Sequence, residues 1–244
     1  MTTQKAILVC ENPRREWWQL DTIISGRFVR LGWQQSLEDA MDGGVPDDVA
    51  SLLARSMTSV ALVTFPRSPE SGAVIPVTFK SEDHVRTLRP TAWGDRLRAA
   101  LSHSPLAVSS RLPSSVLLVS TRRPDVAKTL FHDGGFPWST QGQVVLLSAP
   151  DVPPRAIDWR TLIALNDRPV GPDALASLRV DAIVRPGVDG DVAGIMSASD
   201  SFERQLLGSI EREAGQSGFS WRVLSEDAFA EELSKSRHHE HRTR

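Results

Sequence analysis

The sequence predicts an α/β fold: a parallel or mostly parallel sheet flanked by helices, arranged as two related halves. Three observations predict it. Short apolar runs such as Lys5–Cys10 (KAILVC), Val60–Phe65 (VALVTF) and Val116–Ser120 (VLLVS) recur along the chain with amphipathic segments between them. Those runs are apolar at consecutive positions, as in strands covered on both faces. Proline or aspartate opens many of the intervening segments and glycine closes several, which is the punctuation of helices.

KAILVC stops at the turn cluster Glu11, Asn12 and Pro13, so it is the first strand and a central one. Pro13 opens a helix carrying Trp17, Trp18, Leu20 and Ile24, and Gly26 ends it. Arg27–Leu31 alternates polar and apolar residues as a second strand. Leu37, Ala40 and Met41 give a short helical face before Gly43 and Gly44. Pro46, Asp47 and Asp48 start the next helix, because proline suits the first turn and carboxylates favour its positive dipole end. Val49, Leu52, Leu53 and Met57 lie along one side of it. VALVTF is the following strand, and Ala73–Phe79 (AVIPVTF) is placed at an edge, where Pro76 is tolerated.

From His84 to Arg111 arginines and histidines accumulate around a helix bearing Trp93, Leu97 and Leu101, and the boundary between halves is set there. The division is 1–108, 109–235 and a disordered tail at 236–244. In the second half VLLVS is a strand, Pro124 opens a helix with Val126 and Leu130, and Val144–Leu147 is a strand. Asp158 caps a helix with Trp159, Leu162 and Ile163 facing inward, and a short helix follows at Ala174–Leu178. Val180 to Val184 reads as a buried strand, Pro186–Gly194 as a Gly/Asp-rich loop and Asp200–Ala214 as an amphipathic helix with Phe202, Leu206, Leu207 and Ile210 as its stripe. Asp200 and Glu203 have capping-box spacing, and Gly208 is expected to let that helix approach the sheet closely. Ser220–Leu224 and Glu226–Leu233 supply the last strand and helix.

With 244 residues, 40% apolar and 24% charged, the chain has the composition of a globular protein with a sizeable core. A net charge of -2 excludes the broad basic excess that drives sequence-independent phosphate binding, so nucleic acid is not the default partner. Cys10 is the only cysteine, which excludes an internal disulfide and a cysteine-ligated structural zinc. No charged and apolar leader and no run of membrane-span length stands out, so the expectation is a bacterial-type, cytoplasmic protein with no membrane insertion.

In a sheet of parallel strands the ligand crevice lies beyond the carboxyl ends. The strand–helix alternation resembles receiver domains and other flavodoxin-like proteins in organisation. A phosphorylatable receiver has acidic residues after its first strand and an aspartate after its third. Here Glu11 is the lone acid at the first place, and VALVTF, VLLVS and VVLL do not end in aspartate. The resemblance therefore implies a degenerate, non-phosphorylated module.

The candidate ligand-binding residues are those just after the apolar runs: Arg122 and Arg123 after VLLVS, and Arg185, Asp189 and Asp191 in RPGVDGDVAG. Glycines at 187, 190 and 194 would let the backbone approach a ligand. The spacing is neither a dinucleotide fingerprint nor a Walker loop, and an ordinary turn is the competing reading. Cys10 is expected to be buried as a small hydrophobe. No G-x-S-x-G elbow accompanies a serine. The seven tryptophans are scattered, and two or three exposed together would mark a protein interface.

The sequence thus assigns no catalytic residue, no metal ligand and no cofactor. The function it predicts is a non-catalytic regulatory or assembly module that binds another protein, with homo-oligomerisation open. The alternative is an enzyme or sensor that takes a small anionic or nucleotide ligand at the strand ends. A third class, nucleic-acid binding through the arginines between 84 and 123, predicts steeply salt-dependent retention.

Overall fold

A computed structural model describes residues 5–11, 28–33, 45–57, 60–64, 84–102, 116–132, 144–147, 158–160, 162–163, 172–178, 180–186 and 191–238. In chain order the elements are β1 (Ala6–Glu11), β2 (Val29–Trp33), α1 (Asp47–Ser56), β3 (Val60–Thr64), β4 (His84–Leu88), α2 (Trp93–Ser102), β5 (Val116–Thr121), α3 (Pro124–His132), β6 (Val144–Leu147), α4 (Pro172–Leu178), β7 (Ala182–Pro186), β8 (Val192–Ser197), α5 (Asp200–Gln216), β9 (Ser220–Val223) and α6 (Glu226–His238). The described strands form one nine-stranded sheet in the order β4-β5-β3-β6-β7-β8-β2-β1-β9, in which strands from before and after residue 108 are interspersed.

The mixed α/β class holds, but the sheet is mostly antiparallel. Seven of its eight neighbouring pairs are antiparallel, and β1 with β9 is the parallel one. The expected parallel, flavodoxin-like arrangement is thereby corrected. Unbroken apolar runs report that both faces of a strand are covered, and an antiparallel sheet between two helical layers buries its strands equally well.

Period-two alternation sorts the side chains onto the two faces. Ile7, Val9, Val29, Leu31, Trp33, Val184 and Ile195 lie on one face, under α1, α3 and α5 through Val49, Leu52, Leu53, Val126, Phe131, Leu206 and Ile210. Ala6, Leu8, Cys10, Val116, Leu118, Ile183 and Met196 lie on the other, under Trp159, Leu162, α4 and α6. Each fully buried Leu or Phe in these layers contributes roughly 2 kcal/mol. Ion pairs lace the first helical layer: Lys128 with Asp47 at 2.8 Å and Arg55 with Glu213 at 2.9 Å.

Pro186–Gly194, expected as a strand-to-helix loop, has strand residues of an antiparallel pair at both its described ends instead. β7 and β8 pair from Ala182↔Ser197 to Pro186↔Ala193, so Gly194 is a strand residue within VAGIMS. The Gly and Asp residues mask a short buried strand, since only Ile195, Met196 and the small Val and Ala of that run look apolar in sequence. β4 was likewise hidden, because HVRTL carries charge on an edge strand, where charge is tolerated.

α5 starts one residue earlier than its acids suggest. Ser199 is the cap, its Oγ accepting from the Phe202 N–H at 3.2 Å, while Asp200 and Glu203 occupy the first turn and favour the dipole. Gly208 makes no close approach, as a Cβ there would meet nothing within 4 Å. Gly218, at φ +79°, turns the chain from α5 into β9 in a conformation that suits glycine. α6 runs to His238, beyond the Leu233 end expected. The expected Pro13 helix, the face at Leu37 to Met41 and the strand Ala73–Phe79 lie outside the described residues.

Candidate functional site

The candidate residues are not brought together. Arg122 is exposed and immediately follows β5. Arg123 directly precedes α3, its backbone N–H bonded to Thr121 Oγ1 at 3.0 Å and its guanidinium paired with Asp125 at 2.5 Å. That pairing holds the Asp125 carboxyl below its ordinary range. Arg185 is the fourth residue of β7 and stands opposite Gly194. β3 and β6 lie between β5 and β7, a lateral separation of roughly 14 Å at ordinary strand spacing.

The two groups also lie toward opposite ends of the sheet. Thr121 shares its row with Val60, Leu147, Ala182 and Ser197, whereas Pro186 pairs with Ala193 at the other end. Asp191 precedes β8, is buried, and accepts the Trp33 N–H on its carbonyl at 3.0 Å, which extends the β2–β8 ladder. Asp189 lies outside the described residues. The antiparallel sheet explains the dispersal: carboxyl ends point alternately up and down, so residues after successive strands do not converge as they would in a parallel sheet.

A buried polar cluster that sequence reading missed sits under α6. β2 places Val29, Leu31 and Trp33 on one face, so Arg30 points to the other and is 0% exposed. Its Nη1 donates to Glu226 Oε1 at 3.0 Å, and its guanidinium lies 5.4 Å from the centroid of the Phe28 ring. Glu226 occupies the first turn of α6, just after Ser225, whose carbonyl accepts the Phe229 N–H at 2.8 Å. The carboxylate therefore benefits from the helix dipole as well as from Arg30.

Cys10 stands opposite Arg30 in the β1–β2 register. Burial pushes its thiol pKa up; Arg30 pulls it down less strongly, and Glu226 and Glu11 add to the rise. Cys10 is thus held as a neutral thiol, which suits a packing role and not a nucleophile. Gly32, two residues on, lets α6 settle, because a Cβ there would lie 2.8 Å from the Phe229 ring. The signal in sequence was an arginine in a strand at the core-facing phase of RFVRLGW.

The outer surface offers a different feature. On α2, Trp93 is 77% exposed and Leu97, one turn later, 42% exposed, while the neighbouring Asp95 is buried and paired with Arg160 at 2.8 Å. That ion pair links α2 to the segment carrying buried Trp159 and Leu162. Of the tryptophans in described segments, Trp33 and Trp159 are buried and Trp221 is partly buried. Trp93 is thus exposed with a leucine beside it, and no second exposed tryptophan joins it among the described residues.

Among the described residues no group of three His, Cys, Asp or Glu side chains could hold a metal ion, and no helix is long and apolar enough to cross a membrane. No protein-family model, no curated protein and no solved structure matches the chain.

Proposed function

We propose that the chain is a non-catalytic regulatory or assembly module that binds another protein through the outer face of α2. The observation that carries this reading is the exposure of Trp93 and Leu97 at i and i+4 on a helix whose buried Asp95 pairs with Arg160. A tryptophan and a leucine left in water lose free energy that a partner surface would recover, and aromatic anchors dominate such interfaces. The alternative reading, a small anionic ligand at the strand ends, has less support because Arg122 and Arg123 lie apart from Arg185 and Asp191.

The test is affinity capture from native extract with the wild-type chain and with Trp93→Ala/Leu97→Ser. The wild type is expected to retain a stoichiometric partner that the variant loses, with the variant's Tm unchanged. Capture of the same partner by both chains, or no partner together with turnover of a metabolite, would overturn the reading. A thermal-shift panel of nucleotides and phosphorylated metabolites, with and without Mg²⁺, addresses the alternative, which predicts a shift.

A further inference from the structure

α6 lies on β1 and β2 as an amphipathic helix lies in a groove, and β2 is shaped to receive it. Arg30 holds Glu226 at 3.0 Å, and Gly32, on the same face of the strand, leaves the space that the Phe229 ring and Leu233 fill. Glu226, Phe229 and Leu233 stand at i, i+3 and i+7, so one stripe of α6 makes all three contacts. Phe229 and Leu233 are its buried apolar side chains among the described residues, while Ala230, Ser234 and Lys235 are exposed. At the rim, Arg222 of β9 pairs with Glu232 at 2.8 Å.

Taking a charge pair out of water costs about as much as its attraction returns, so an apolar pair of the same volume would hold α6 at least as well. What Arg30 adds is selectivity, because a helix without an acid in its first turn would strand the guanidinium. The helix that meets this requirement, with a ring three residues on and a leucine at the seventh, is carried by every copy of the chain.

The link between β9 and α6 has no slack. The Leu224 N–H donates to the Val9 carbonyl at 2.8 Å and continues the β1–β9 ladder. The next residue, Ser225, already belongs to the first turn of α6: its carbonyl accepts the Phe229 N–H at 2.8 Å and its Oγ accepts the Ala228 N–H at 3.4 Å. Glu226 meets Arg30 and Phe229 meets Gly32, so α6 runs along β2 and against β9. The chain therefore reverses within Leu224 and Ser225. Short, taut links favour exchange of an element between copies, because straightening them relieves the turn while the contacts of the helix are remade on a neighbour.

We infer that α6 is exchanged between two copies of this chain: the helix of each docks on Arg30 and Gly32 of the other, with Leu224 and Ser225 extended as the hinge. The contacts of α6 named above all become intermolecular and none is lost, so the hinge and the protein concentration set the balance between monomer and swapped dimer. The face of α2 takes no part in the exchange, and the inference stands or falls apart from the proposal above.

The experiment refolds the full chain from urea at a low concentration and at one about a hundredfold higher, and reads its mass by size exclusion with light scattering. A dimer is expected at the higher concentration, and it should persist on dilution because its return to monomer requires α6 to leave the groove. Deleting Ser225 should keep α6 from its own groove and give a dimer at both concentrations. Inserting Gly-Ser-Gly after Leu224 should give the monomer at both. Arg30→Glu and Glu226→Arg are then refolded separately and together. Each alone sets like charges in the groove, whereas a swapped heterodimer sets opposite charges in both grooves, so the mixture should recover a folded dimer that neither variant forms alone. A wild type that stays monomeric at both concentrations overturns the inference. So does a mixture no more folded or dimeric than its parts. A dimer that the insertion leaves intact, or that Trp93→Ala/Leu97→Ser dissolves, is held elsewhere and overturns it too.

Discussion

Arg30 and Glu226, 196 residues apart in the chain, meet at 3.0 Å beneath the last helix and join the second strand to the start of α6. The arginine side chain is almost wholly buried and the carboxylate keeps about a fifth of its surface in water, at 1% and 19% exposed. Removing one partner of a buried pair strands the other charge, so Arg30→Met is expected to destabilise the fold by about 3 kcal/mol, the lower end for such a loss because Glu226 retains solvent. Glu226→Gln should cost less, and the double variant should recover part of the Arg30→Met loss. A double-mutant cycle in urea measures this; additive losses would show that the pair is not coupled.

Gly32 and Gly208 should respond to alanine in opposite directions. A Cβ at Gly32 would lie 2.8 Å from Phe229 Cζ and 3.2 Å from Leu233 Cδ2, so Gly32→Ala must push α6 outward. Overpacking of this kind costs about 1–3 kcal/mol. At Gly208, inside α5, a Cβ meets nothing, and alanine should stabilise by about 0.5–1 kcal/mol through helix propensity. Phe229→Leu should relieve much of the Gly32→Ala loss. Chemical denaturation of the variants checks the signs.

These positions show what was legible in the sequence. Runs such as KAILVC and VLLVS announced buried strands, and Pro46 with its two aspartates announced α1, because those signals are local. Strand direction was not legible, since β1 is apolar on both faces whether its neighbours run up or down. The first half of VAGIMS falls within the Gly/Asp-rich stretch Pro186–Gly194, which reads as loop, and HVRTL carries charge that an edge strand tolerates but that does not announce a strand. Arg30 was missed for a related reason. Its meaning depends on Glu226, which chain distance hides. Trp93 and Leu97 read as a helix from sequence, but which side of that helix faces water depends on tertiary packing, with Asp95 and not Trp93 as the buried residue.

Cys10 should resist thiol reagents in the native state and react only as the protein unfolds. Its folded pKa lies above the ordinary value of 9.0, mainly through burial. A raised pKa means that the native state holds its proton where the unfolded chain has lost it. The stabilisation is full below the unfolded pKa and is lost as pH rises through the folded one. Urea midpoints should therefore fall above about pH 9 in the wild type, and Cys10→Ala should flatten that limb. An unchanged alkaline limb in the variant would assign the fall to other groups.

Glu232 has the opposite shift. Arg222 at 2.8 Å and Lys235 at 3.1 Å hold its carboxyl below the ordinary 4.5. The stability from these pairs is present above the unfolded pKa and is lost as pH falls through the folded one. Because Arg222 and Lys235 are exposed and Glu232 is only half-buried, solvent screens the pairs and the effect is small. Glu232→Gln should reduce the acid-side loss between β9 and α6, read as amide exchange in Ser220–Val223 at pH 3 to 5, with the rest of the sheet unaffected.

On the proposed function, the Trp93 face of α2 meets a partner protein. A photo-crosslinking amino acid placed at position 93, and separately at exposed Gln205 on α5, measures this most directly when illuminated in living cells. One discrete protein adduct at position 93, absent at position 205, is the predicted result. The same adducts at both positions, or none at position 93, would contradict it.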